Sequence, residues 1–172
     1  MQRYIGTKLF NAEPINRSAY NTFRGWQLPA DENVEDNGYL VEYIDGGPPN
    51  TEHYHGYVSW SPKEVFDNAY RPVDGMSFGL AIEAMKMGKA VTRAGWNGKG
   101  MFVCLMPPLY LPPFSTADTA RKVNDRTAKW IGEDQPLDCQ PYIAMYNAQK
   151  KWQPGWAAAQ SDMLADDWMI VE

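Results

Sequence analysis

The sequence predicts an α+β protein in two parts. The first is a small α+β module; the second is one helix packed on a small antiparallel sheet with a helical insertion. Three observations predict this. Short apolar stretches at helical spacing carry explicit start and stop residues, as in Ser77-Phe78-Gly79-Leu80-Ala81-Ile82. Runs rich in β-branched and aromatic residues recur between turn residues, at 39–44, 57–60 and 142–146. A composition of 44% apolar and 22% charged residues over 172 positions supports a buried core and excludes global disorder.

In the first part, residues 2–11 read as a strand broken by Pro14, followed by a helix after Asn16 that carries Ala19, Tyr20 and Phe23 and stops at Gly25. Residues 29–38 are acidic and turn-rich, a surface loop. Strands follow at 39–44 and 57–60. Ser61-Pro62-Lys63-Glu64 then reads as an N-cap, a first-turn proline and a capping-box glutamate, with Val65, Phe66 and Ala69 as the buried face. Arg71-Pro72 ends that helix, and Asp74-Gly75 marks a boundary between domains 1–73 and 74–172.

In the second part, Ser77 caps a helix with Phe78, Ala81, Ile82 and Met85 on one face, closed by Gly88. A strand at 90–93, a glycine-rich turn and a strand at 101–106 come next. The segment 107–113 (PPLYLPP) cannot pair as a central strand, so it is an ordered arm. Ser115 is expected to open a helix that runs to Ile131. After it come a strand at 142–146, a hairpin turn at 147–150, a short helix from Ser161 and Asp162, and a last strand at 168–171.

Charge limits the partners. The net charge of −5 disfavours a nucleic-acid polymer or a membrane surface. Residues 1–73 hold six Lys/Arg against ten Asp/Glu; residues 74–172 hold ten against eleven. Lys86, Lys89, Arg93 and Lys99 have no acid between them, so a small anionic ligand belongs there. No eighteen-residue apolar run and no apolar leader occur, which predicts a cytoplasmic protein. Cys104 and Cys139 form no CxxC pattern and read as reduced thiols. His53-Tyr54-His55 in a polar loop reads as surface rather than a metal site.

The stretch 93–100 (RAGWNGKG) concentrates the chemistry. Asn97-Gly98 suits a two-residue type I′ hairpin, in which both central residues need positive φ. Around it stand the guanidinium of Arg93, the ammonium of Lys99, the indole of Trp96 and the amide of Asn97, with glycines that allow close approach. A base would stack on the ring and phosphates would take the donors. The alternative is a tight hairpin whose Trp96 packs in the core and whose Arg93 and Lys99 are solvated. For Asp162, a helix N-terminal acid favoured by the dipole is the alternative to a ligand contact.

Three blocks then occur in order: MSFGLAIEAMK from Met76, RAGWNGKG from Arg93, and GWAAAQSDMLADDW from Gly155. By these blocks residues 76–172 resemble the phage Thoeris anti-defence family of the second type. Residues 1–73, through GYLVEYIDGG and GYVSWSPKEVFDNAYRP, resemble a small phage-associated module found ahead of that domain. The resemblance implies a non-enzymatic sponge in the host bacterial cytoplasm. It would sequester glycocyclic ADP-ribose made by a TIR-domain protein, and in some members the cyclic dinucleotides of CBASS. It implies a homotetramer with pockets between subunits, and no cofactor, metal or catalytic residue. Trp96 and Trp156 are the implied stacking residues; Arg93, Asn97, Gln160 and Asp162 are the implied polar contacts, beside Gly98 and Lys99 of the turn. The arm at 107–113 and the helix after it exceed the compact form of the family.

Overall fold

The computed structural model describes residues 1–4, 6–117 and 120–171. They divide into two units, Met1–Arg71 and Pro72–Glu172. Both are mixed α+β with antiparallel sheets, as the sequence predicts.

The first unit is a three-stranded sheet in the order β1 (Asn11–Asn16), β2 (Asn37–Tyr43), β3 (Tyr57–Pro62). Helix α1 (Arg17–Arg24) starts where Asn16 accepts from the Ala19 N–H at 2.8 Å and ends on Gly25 at φ 66°. Tyr20 from α1 packs with Leu40 and Val58 of the sheet, backed by Ile15, Phe23, Tyr54 and Trp60. Helix α2 (Lys63–Ala69) lays Phe66 on Tyr39, ring centroids 4.0 Å apart and nearly parallel.

Three expectations for this unit are corrected. The first strand is Asn11–Asn16 and contains Pro14, whereas residues 2–11 precede or only begin it, Ile5 lying outside the described residues. Pro14 is tolerated because β1 is an edge strand, paired to β2 alone. Ser61 is no helix cap: it continues β3 opposite Tyr39, and α2 begins after Pro62 with no side-chain cap. The helix also lacks the expected apolar face. Val65 is 59% exposed and Ala69 is exposed, which leaves Phe66 as its covering side chain.

The second unit is built on a five-stranded sheet in the order β10-β4-β5-β8-β9. The strands are β4 (Val91–Arg93), β5 (Phe102–Met106), β8 (Tyr142–Tyr146), β9 (Trp152–Pro154) and β10 (Trp168–Ile170). Helix α3 (Phe78–Lys86) is capped by Ser77 and packs Ala81, Ala84 and Met85 against Val91, Val103, Met145 and Trp168. Gly88 follows the helix at φ 81°, the left-handed conformation a glycine adopts without a Cβ penalty. The turn at 147–150 joins β8 to β9, with Asn147 Oδ1 accepting from the Gln149 and Lys151 amides.

The insertion is shorter in helix and richer in strand than expected. Leu109–Leu111 (β6) pairs with Leu137–Cys139 (β7) in a separate two-stranded ribbon. Helix α4 is Asp125–Ile131, begun by Asn124, whose side chain accepts from the Thr127 N–H at 2.8 Å. Ser115 opens no helix but sits in a turn, its amide donating to the Glu133 carbonyl at 3.0 Å and the Thr116 amide to the Pro113 carbonyl at 3.1 Å; Asp118 and Thr119 of the expected helix lie outside the described residues. Helix α5 (Gln160–Met163) is the expected short helix before β10.

Candidate functional site

The segment 94–101 joins β4 to β5 as a broad loop, not as a two-residue hairpin. β4 and β5 pair at Val91 and Val103, and Thr92 Oγ1 donates to the Met101 carbonyl at 2.7 Å. Positive φ falls at Gly100, 71°, and neither Asn97 nor Gly98 adopts it. The type I′ expectation fails because contacts from residues far along the chain, rather than the local pair, set the loop.

Those contacts centre on Arg93. Its Nε donates to Asp167 Oδ1 at 2.7 Å and Nη1 to Asp162 Oδ1 at 2.7 Å. Nη1 also reaches the Ser161 carbonyl at 3.1 Å, and Nη2 reaches Asp167 Oδ2 at 3.4 Å. The side chains of Arg93 and Asp162 are 16% and 13% exposed, so this pair is mostly withdrawn from water; Asp167, at 34%, is less so. Arg93 and Asp162, both expected as ligand contacts, are therefore partners of each other. The side chain turns inward because two carboxylates receive its planar fork, which meets the cost of burying a guanidinium.

Asp162 collects further donors. Its Oδ1 accepts from Trp96 Nε1 at 3.0 Å, its Oδ2 from the Ala159 amide at 3.1 Å, and its backbone carbonyl from Trp168 Nε1 at 2.9 Å. Burial pushes its carboxyl pKa up, but Arg93, the Trp96 N–H and the Ala159 amide outweigh this and hold it below the ordinary carboxylate value. Asp167 is held low chiefly by Arg93 and then by the Gly95 amide, while the two acids raise Arg93.

Three tryptophans complete the site. Trp96, Trp156 and Trp168 form a triangle of edge-to-face pairs with centroids 5.9, 5.4 and 6.3 Å apart, the geometry favoured by ring quadrupoles. Trp168 is fully buried, and Phe78 of α3 packs on it at 5.3 Å. Trp96 and Trp156 are half-buried and pack against the core by part of their surface. Trp96 thus combines the two sequence readings, a core ring with an accessible remainder.

Asn97, Lys99 and Gln160 are exposed, and among the described residues their side chains have no hydrogen-bond or ion-pair partner. Gly98 lies against Met101 and Ala148. The structure therefore joins Arg93, Trp96, Trp156 and Asp162 in one packed assembly and leaves the side chains of Asn97, Lys99 and Gln160 exposed and outside it. Sequence reasoning missed Asp167. The signal was the antiparallel pairing of Trp168 with Arg93, which sets the residue before Trp168 beside the start of the loop.

Among the described residues, no three His, Cys, Asp or Glu side chains are grouped to hold a metal ion. Cys104 and Cys139 are free and half-buried, and burial pushes the Cys104 thiol up.

Residues 76–171 match the family model described as the Thoeris anti-defense 2-like domain. The chain belongs to that family. One relative, Thoeris anti-defense 2 of Bacillus phage SP01, is 35% identical over 96 residues, which is 56% of this chain and 94% of the relative. Every candidate site residue of this Thoeris anti-defense 2-like chain lies inside the match, as do the ribbon and α4; residues 1–75 lie before it.

Proposed function

We propose that the protein is a phage anti-defence sponge that binds and sequesters, without cleaving, a cyclic nucleotide immune messenger. The ligand is glycocyclic ADP-ribose, with cyclic dinucleotides as a second class, and its capture blocks Thoeris and CBASS effectors in the host cytoplasm. The observation that carries this reading is the exposure of Asn97, Lys99 and Gln160, unpartnered among the described residues, in the same two segments as the half-buried Trp96 and Trp156 and within the residues that match the family.

The division of labour follows from the geometry. A base stacks on the accessible parts of Trp96 and Trp156, and Lys99 with Asn97 supplies donors to the phosphates. Most of the Arg93 fork is committed to Asp162, Asp167 and the Ser161 carbonyl, so its main part is to hold the ring. Both acids are likewise occupied and held ionised, so neither stands ready as a general acid. That suits retention of the ligand intact.

Magnitudes favour a pocket shared between subunits of a homotetramer. Two stacked faces contribute about 1–3 kcal/mol each, and two charge-assisted hydrogen bonds about 1.5–3 kcal/mol each. Their sum, about 5–12 kcal/mol, is smaller than a nanomolar complex requires once association costs are included. A second chain supplying another stacking face, about 1–3 kcal/mol more, narrows that gap. Calorimetric titration with glycocyclic ADP-ribose and a panel of cyclic dinucleotides, followed by heat release and chromatography, tests the proposal. The expected result is tight uptake and recovery of the intact ligand; a cleaved product, or no uptake of any of them, overturns it.

A further inference from the structure

We infer that Asp167 is the positioning residue of this site: its carboxylate fixes Arg93 and Gly95 together, and through Arg93 and Asp162 it sets the plane of the Trp96 ring. The inference rests on the reading of Trp96 and its neighbours as a ligand surface.

Asp167 closes the start of the loop from the other end of the domain. Oδ1 accepts from Arg93 Nε at 2.7 Å, and Oδ2 accepts from the Gly95 amide at 2.8 Å. Its backbone carbonyl accepts from the Ala94 amide at 3.1 Å. Three successive residues, 93 to 95, are therefore bound to one residue more than seventy positions later in the chain. A relay then runs from Asp167 to Arg93, from Arg93 to Asp162 at 2.7 Å, and from Asp162 to the Trp96 indole at 3.0 Å. A guanidinium is planar, so seating its Nε edge on Asp167 fixes the direction in which Nη1 meets Asp162.

Position 95 fits the same device. A Cβ there would sit 2.8 Å from Asp167 Oδ2 and 3.3 Å from Arg93 Nη2, so a side chain would separate the amide from its acceptor. Glycine at 95 matters through this approach rather than through its φ, which is not positive: a Cβ would push the Asp167 carboxylate aside. Asp162 cannot be probed in the same way, because its Oδ2 also bonds the Ala159 amide at the start of α5. The side-chain bonds of Asp167 go to the loop.

The test compares Asp167→Asn, Gly95→Ala and their double variant with Val123→Ala, a truncation of a buried residue outside the core cluster on which Trp96 packs that lowers Tm by several degrees. Asparagine offers one acceptor oxygen for two donors, so it breaks part of the set without changing shape. Calorimetry with glycocyclic ADP-ribose should show an affinity loss of about tenfold or more for each single variant. The double variant should lose no more, because both changes break one contact, and Val123→Ala should bind like wild type despite its lower Tm. In ligand-free protein, Asp167→Asn should also move the Trp96 indole N–H resonance. Wild-type affinity in Asp167→Asn, or an unmoved indole resonance, overturns the positioning role. If the wild-type protein itself takes up no nucleotide, the sponge reading fails, and the indole resonance alone decides the role of Asp167.

Discussion

Each unit withdraws a carboxylate from water, and the two do so by different means. In the first unit Glu42, on the central strand β2, accepts from Asn11 Nδ2 at 2.9 Å and from the His55 and Gly56 amides at 2.9 and 3.1 Å. These donors are neutral. They clasp the 45–56 loop onto the sheet, and they hold the Glu42 carboxyl below its ordinary value, the Asn11 amide contributing most. In the second unit Asp162 and Asp167 face a guanidinium and an indole N–H, and they weld three separate segments around edge-to-face rings. A neutral clasp tolerates the loss of a charge. A charged weld does not, because removing one member strands the others in a poorly hydrated place.

The largest break in this comparison is Arg93→Ala. It leaves Asp162 and Asp167 facing each other without a cation, and should cost about 3 kcal/mol in denaturant unfolding, the low end for a buried pair because Asp167 is a third exposed. Hydrogen exchange should place the loss in residues 91–106 and 159–170. Next is Gly56→Ala in the other unit. A Cβ there would overlap the backbone carbonyl of Tyr43, which cannot step aside, so a cost of about 1–3 kcal/mol is expected from chemical denaturation. Smaller still, Glu42→Gln keeps an acceptor for the two amides and should lower Tm less than Asp162→Asn does.

Acid sharpens the same contrast. Glu42, Asp162 and Asp167 all have lowered values in the fold, so their stabilisation is complete above the unfolded values of about 4 and disappears as pH falls through the folded ones. Urea midpoints from pH 7 down to pH 3 should fall, and Asp167→Asn should flatten part of that fall. The smallest effect on stability belongs to Lys99→Ala. Since Lys99 has no partner among the described residues, the variant's Tm should match wild type while titration shows weaker ligand uptake.

Local signals in the sequence located what depends on local structure. Asn16 with Gly25, and Ser77 with Gly88, bracket α1 and α3 because caps and left-handed glycines act within a turn or two. Pairing over distance was illegible. Pro14 reads as a break until β1 is known to be an edge, and Ser61 reads as a cap until Tyr39 lies opposite it. At the site, the residue types were legible and their directions were not. Arg93 reads as ligand-facing when no acid is near it in sequence, yet its two acids lie 69 and 74 residues on. The ribbon of β6 and β7 shows the same limit, since each strand is three residues long and has no meaning without the other.

The tryptophan triangle has a practical consequence. Indoles at 5.4 to 6.3 Å exchange excitation energy, so Trp96, Trp156 and Trp168 absorb and emit as a coupled chromophore rather than as three independent ones. A nucleotide base laid on either half-open member would quench emission from all three. Under the proposed function, tryptophan fluorescence would then gauge occupancy without an added dye.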